Sequence, residues 1–160
     1  MSYIVCGWYT TDYRQWWDKL RPTLEQRGIP HDFVQVEKQN GGWETNTMAK
    51  PIQVLAAMGR HPDTVIVFLD VDCEVCGSLD ELVADIHADV ACYIRIKRRR
   101  NGDVKWGGLR SGTLVLRPTH GARAFVRRWI EEGEAASYGD VDQNTMALAL
   151  GRTQCCSFQG

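Results

Sequence analysis

Residues 65–76 read Val-Ile-Val-Phe-Leu-Asp-Val-Asp-Cys-Glu-Val-Cys, and this stretch constrains the fold more than any other. Five apolar residues, most of them β-branched, stop abruptly at two carboxylates, Asp70 and Asp72. A short apolar run without alternation is the pattern of a strand buried on both faces, as in parallel sheets. Two acids where such a strand emerges are costly unless positive charge meets them there. Open α/β sheets bind ligands just outside the carboxyl ends of their strands. A divalent cation bridging to a phosphate is the economical explanation, and it makes Asp70 and Asp72 the candidate metal ligands.

The flanking pattern predicts layers around that strand. Tyr3 to Cys6 read as a first strand, and Tyr13, Trp16, Trp17, Leu20 and Leu24 fall at helical spacing over 13–27, ended by Gly28. Phe33, Val34 and Val36 suggest a second strand. A loop at Gly41-Gly42 precedes a helix capped by Asn46 or Thr47 and running to about Gly59, with Pro51 in its first turns. After the acidic strand end come a short helix near 79–87 and strands over 90–97 and 112–117, separated by an excursion or hairpin around Asn101-Gly102. Ala122, Phe125, Val126, Trp129 and Ile130 mark one helix face, and 142–150 a last short helix; residues 155–160 show no usable period. The alternation predicts a three-layer α/β/α sandwich with a mostly parallel, Rossmann-like central sheet.

The chain has 160 residues, 44% hydrophobic and 24% charged, which suits one soluble domain spanning 1–160 with its own core. No apolar run reaches the roughly 18 residues that cross a bilayer. The first residues have neither a basic n-region nor a long apolar region, so no signal peptide is expected and the cytoplasm is the default address. Six cysteines in that setting are expected as free thiols. Net charge is −1 but divides unevenly: residues 1–90 carry 7 Lys/Arg against 14 Asp/Glu, and residues 91–160 carry 12 against 6. An acidic metal pocket facing a basic, phosphate-holding half accounts for this, as does surface patterning without function. The run Lys97 to Arg100 lacks interleaved aromatics, so nucleic acid is not an expected partner. His31, His61, His87 and His120 are scattered near turns and helix ends, and most are expected to face solvent; of Trp16 and Trp17, at least one is expected in the core.

Other chemistries fit the acidic segment less well. Asp70, Asp72, Glu74 and Glu81 match the oxygen positions of a calcium-binding EF-hand loop, but Val75 stands where the glycine is required. Cys73-x-x-Cys76 is half of a zinc site without a second pair at suitable spacing. A haloacid-dehalogenase-type phosphatase also places Asp-x-Asp after an apolar strand, though near its N-terminus and with a different continuation.

Four ordered segments carry a closer resemblance. They are Lys50 before the acidic strand; Phe68 to Val75 followed by Leu79-Asp80-Glu81-Leu82; Arg110-Ser111-Gly112-Thr113-Leu114-Val115-Leu116-Arg117-Pro118; and Gly139-Asp140-Val141-Asp142-Gln143. Together they resemble the GT-A fold nucleotide-diphospho-sugar glycosyltransferases of the glycogenin-like type. The resemblance implies a metal-dependent glycosyltransferase that uses Mn²⁺ or Mg²⁺ and a nucleoside diphosphate sugar, with UDP-sugars favoured. The acceptor, whether sugar, protein or small molecule, is open. It implies that Asp72 binds the metal, that Asp70 binds the metal or the ribose, and that Lys50 lies near the donor phosphates. Ser111 and Gly112 belong to its Asn-Ser-Gly strand, whose asparagine is here Arg110. Asp142 and Gln143 match its sugar-side Asp-Gln pair, with Asp142 orienting the donor hydroxyls, acting as base, or simply capping its helix. Trp8, Tyr9 and Thr10 follow the first strand, where the fold meets the nucleotide base, although Trp8 equally suits the core. One departure is that no histidine follows His120 to serve as a third metal ligand. A module that binds nucleotide sugar without turning it over is the alternative.

Overall fold

The computed structural model describes residues 2–137 and 139–157, apart from the side chains of 104–106 and 154–157. Phe158 to Gly160, part of the segment without a period, lie outside the described residues.

The acidic strand forms as its pattern requires. Strand β3 (Val65–Leu69) is buried along its whole length. Val65, Val67 and Leu69 face one core; Ile66 and Phe68 face the other. Around it stand β1 (Tyr3–Tyr9) and β2 (His31–Gln35), with β4 (Val90–Arg98) and β5 (Val104–Leu116) on the far side, in the order β2-β1-β3-β5-β4. β1 pairs in parallel with β2 and β3, whereas β5 runs antiparallel to both β3 and β4. Four strands therefore point one way and β5 alone runs back, which makes the sheet mostly parallel.

Helices cover both faces. Helix α1 (Arg14–Gln26) lays Trp17, Leu20 and Leu24 on one face, together with Val83 of α4 (Leu79–Asp85). Gly28, at φ +64°, closes α1: its amide bonds Glu25 O and the next amide bonds Leu24 O, the paired arrangement that ends many helices. On the other face, α3 (Lys50–Arg60), α5 (His120–Glu134) and α6 (Asp142–Ser157) contribute Val54, Met58, Phe125, Trp129 and Met146. The expected three-layer sandwich is what forms.

Several boundaries differ from the sequence pattern. β1 continues to Tyr9, so Gly7, Trp8 and Tyr9 lie within the strand rather than after it. Neither Asn46 nor Thr47 caps a single helix; a short α2 (Trp43–Thr47) is followed by α3, with Pro51 in its first turn. Proline lacks the amide a continuous helix would need there. The expected excursion at 98–105 is the tip of a hairpin, because β5 begins at Val104. Gly107 and Gly108 conceal that part of the strand, since glycine carries no strand preference. Finally, α6 runs beyond 150 to Ser157.

Candidate functional site

The chain leaves β1 for β2 on one side and reaches β3 on the other, so the crevice beyond the carboxyl ends of β1 and β3 is a topological switch point. A cavity of about 160 Å³ opens there. The end of β1 supplies Trp8, Tyr9 and Thr10, the residues after β3 supply Asp70 and Asp72, α3 supplies Lys50, and α6 supplies Asp142 and Gln143. Arg110, Ser111 and Gly112 complete the set from behind.

Lys50 is the hub. It is the first residue of α3, where a cation is disfavoured by the helix dipole, so other charges must hold it there. Its ammonium lies 2.8 Å from Asp70 Oδ1, 2.9 Å from Asp142 Oδ2 and 3.0 Å from Ser111 Oγ. An ammonium has three N–H donors, and three acceptors take them. In this arrangement Lys50 holds two carboxylates in place. Ser111 in turn donates to Asp142 Oδ2 at 2.5 Å. Asp142 opens α6 with its carboxylate turned inward, and the amides of Asn144 and Thr145 bond Val141 O instead. Trp129 Nε1 bonds Asp142 O, which fixes this corner to α5. Arg110 Nη1 donates to Gln143 Oε1 at 2.9 Å, and Asp70 N bonds Gly112 O.

Burial works against the Lys50 charge, but Asp70 and Asp142 outweigh it and push its pKa up. Asp70 is also pushed up, first by burial and then by Asp142 and Asp72, against the pull of Lys50. Along the pocket wall, one ammonium faces three carboxylates, Asp70, Asp72 and Asp142. That leaves a surplus of two negative charges, built from the hard oxygen donors that suit Mg²⁺ or Mn²⁺. The residues present fit a divalent cation held by Asp72, which is exposed, and by the outward part of Asp70.

Tyr13, Trp43, Asn46, Thr47 and Val71 also line the cavity, and the sequence did not mark them as site residues. Trp43, 57% exposed, follows Gly41-Gly42 and has no periodic neighbour to signal it. Trp8 is half-buried and packs against the α3 side of the core; the Tyr9 ring stacks on Trp17. Trp17 belongs to the core, as expected of one of the pair.

Within the cysteine motif, Cys73 Sγ contacts Gly112 O and Cys76 Sγ contacts Glu74 O. In the EF-hand register, the Glu81 amide bonds Ser78 Oγ to cap α4. Among the described residues, one group of three metal-capable side chains clusters, and it lies elsewhere: Cys6, Asp32 and His61. There Asp32 Oδ2 accepts from Arg60 Nε at 2.7 Å and meets His61 Nε2 at 2.8 Å. Burial, then Asp32, pushes the Cys6 thiol up to about 12. A protonated thiol beside an already paired carboxylate reads as a clamp between α3 and β2. His87 and His120 face solvent, whereas His31 and His61 are half-buried and bonded, so two of the four histidines are exposed where most were expected to be.

Neither protein-family models nor curated protein sequences give a match. Solved structures do, through the backbone. A glycosyltransferase involved in glycosylation of the major capsid of PBCV-1 matches with TM-score 0.65 at 11% identity, over 92% of this chain and 74% of that one. The galactosyltransferase LgtC, solved with donor and acceptor sugar analogues, matches with TM-score 0.51 at 12% identity, over 92% and 70%. The apo form of GlyE from Streptococcus pneumoniae TIGR4 matches with TM-score 0.51 at 15% identity, and this chain spans 43% of it. The fold is that of glycosyltransferases.

Proposed function

We propose that this chain transfers a sugar from a nucleoside diphosphate sugar, with UDP-sugars favoured, in a reaction that depends on Mn²⁺ or Mg²⁺. One observation carries the reading: Asp70 and Asp142 meet on Lys50, with Asp72 on the same cavity wall, at the switch point of a glycosyltransferase fold. Transfer requires the departing diphosphate to gain negative charge as the anomeric carbon–oxygen bond breaks. Asp70 and Asp72 would hold a divalent ion, which when bound would supply Lewis-acid neutralisation of that charge. The chain's own groups set the geometry. Lys50 fixes the spacing between Asp70 and Asp142, and Ser111 fixes the orientation of Asp142. Arg110 orients Gln143 at the pocket wall. Tyr13 and Trp43 offer exposed ring surface on which a nucleobase can stack, beside half-buried Trp8. Thr10 is buried, with its hydroxyl turned to Asp12.

Thermal shift tests the reading. Mn²⁺ with UDP raises the melting temperature, and Asp72→Ala abolishes the shift while leaving the unliganded melting temperature in place. A flat response to every nucleoside diphosphate at millimolar concentration overturns it.

The alternative, a module that holds nucleotide sugar without turnover, draws support from one contact. Asp142 Oδ2 is already engaged by both Lys50 and Ser111, so that oxygen is not offered to an acceptor as base. Metal-dependent hydrolysis across a donor panel decides: transfer predicts slow release of free sugar, whereas binding with no release from any donor favours the module.

A further inference from the structure

We propose that the hairpin of β4 and β5 is a docking surface for an anionic lipid bilayer. Among the described residues, beyond the pairing of Leu69 with Thr113 no strand flanks β5 except β4, so β4 from Tyr93 onward and β5 up to Gly108 form a two-stranded ribbon extending past the sheet. A register shift between Cys92 and Tyr93 marks where it departs. On it Tyr93, Ile94 and Ile96 are 58%, 54% and 52% exposed, large apolar groups left in water. Ile94 and Ile96 share one face of β4, where Leu109 stands opposite Ile94 and Gly107, with no side chain to cover it, opposite Ile96.

The same ribbon carries strong charge of one sign. Residues 93–109 hold six basic residues, Arg95, Lys97, Arg98, Arg99, Arg100 and Lys105, against one acid, Asp103. Asp103 is occupied by the turn, where its carboxylate accepts from Asn101 Nδ2 and its carbonyl from Arg99 N. A net charge of +5 beside exposed isoleucines matches a surface with anionic headgroups outside and hydrocarbon just beneath. Each alternative uses only half of this. A second copy would bring two +5 ribbons together. Nucleic acid rewards the charge and a stacked aromatic ring but gives nothing for two isoleucines. Protection of the β4 edge requires the charges alone and is weakened by bare isoleucine.

Co-sedimentation of the full chain with vesicles tests the proposal. Vesicles containing about 30 mol % phosphatidylglycerol bind, pure phosphatidylcholine vesicles do not, and raising salt from about 0.1 M weakens binding. The triple variant R98Q/R99Q/R100Q loses roughly 100-fold in vesicle affinity, from about five-fold per charge near such a surface. I94S/I96S loses binding as well, and both variants keep the parent melting temperature and its response to Mn²⁺ and UDP. The proposal is overturned if anionic vesicles fail to bind at low salt, if the triple variant binds like the parent, or if an oligonucleotide outcompetes the vesicles for the ribbon.

Discussion

Lys50 Nζ and Asp142 Oδ2 meet at 2.9 Å with side-chain exposures of 7% and 2%, so a complete ion pair sits inside the protein at the base of the candidate site. Buried pairs contribute little net stability but are costly to break from one side. Here breaking one side also strands Asp70, the second carboxylate on the same ammonium. The pair is better understood as a positioning device than as a source of stability.

Lys50→Met is therefore expected to destabilise the fold by about 3–5 kcal/mol, the range for removing one partner of a buried pair. Urea unfolding reads the loss. Adding Asp142→Asn, which removes the stranded charge, should recover part of it. A Lys50→Met protein as stable as the parent would show that the ammonium does not hold these acids in solution.

Gly112→Ala probes the other side of Asp70. A Cβ at this position would lie 3.0 Å from Asp70 Oδ2, tight enough to displace the carboxylate. The expected outcome is a thermal shift with Mn²⁺ and UDP reduced by more than half, with a change in unliganded stability within about 1.5 kcal/mol. An undiminished shift would place the ligand away from Asp70.

Acid sensitivity should trace in part to Asp32. Burial alone would raise its carboxyl, but the bonds from Arg60 and His61 prevail and hold it below the ordinary 3.8. A folded carboxyl that resists its proton stabilises fully above the unfolded value and loses that contribution as pH falls through the lower folded value. Urea midpoints measured downward from pH 5 should therefore fall more steeply for the parent than for Asp32→Asn. Parallel curves would refute the assignment.

Thiol reactivity should separate by environment. Burial, reinforced by neighbouring acids, pushes Cys6 up to about 12 and Cys73 up to about 11, so both stay protonated at pH 8. Only the thiolate reacts. In the native protein iodoacetamide should label exposed Cys76 well before Cys6 or Cys73, as peptide mass spectrometry can follow. Early labelling of Cys6 would mean that the Cys6–Asp32–His61 clamp opens readily.

Much of the fold is local pattern and is readable as such. β3 announces itself because a strand with cores on both faces has no polar position to interrupt it, and its acidic end marks the site. Gly28 ends α1 where a left-handed residue is needed. The outer half of β5 is invisible because its glycines carry no periodic signal, and the break between α2 and α3 turns on one missing amide. Trp43 reaches the pocket just after the Gly41-Gly42 loop and Tyr13 from the turn that leads into α1, and neither position carries a pocket signal in its neighbours.

By itself, the order of residues determined the layered α/β class and marked Asp70 and Asp72, because burial and charge leave local marks; Lys50, Ser111 and Asp142 stood out only through their resemblance to a family pattern. Only the tertiary structure decided that Lys50 spends its three donors on Asp70, Asp142 and Ser111, and that a basic, apolar ribbon extends past the sheet. Those facts depend on groups far apart in the chain meeting at one strand end, and neither hydrogen bonding nor Coulomb attraction between them is encoded in either segment alone.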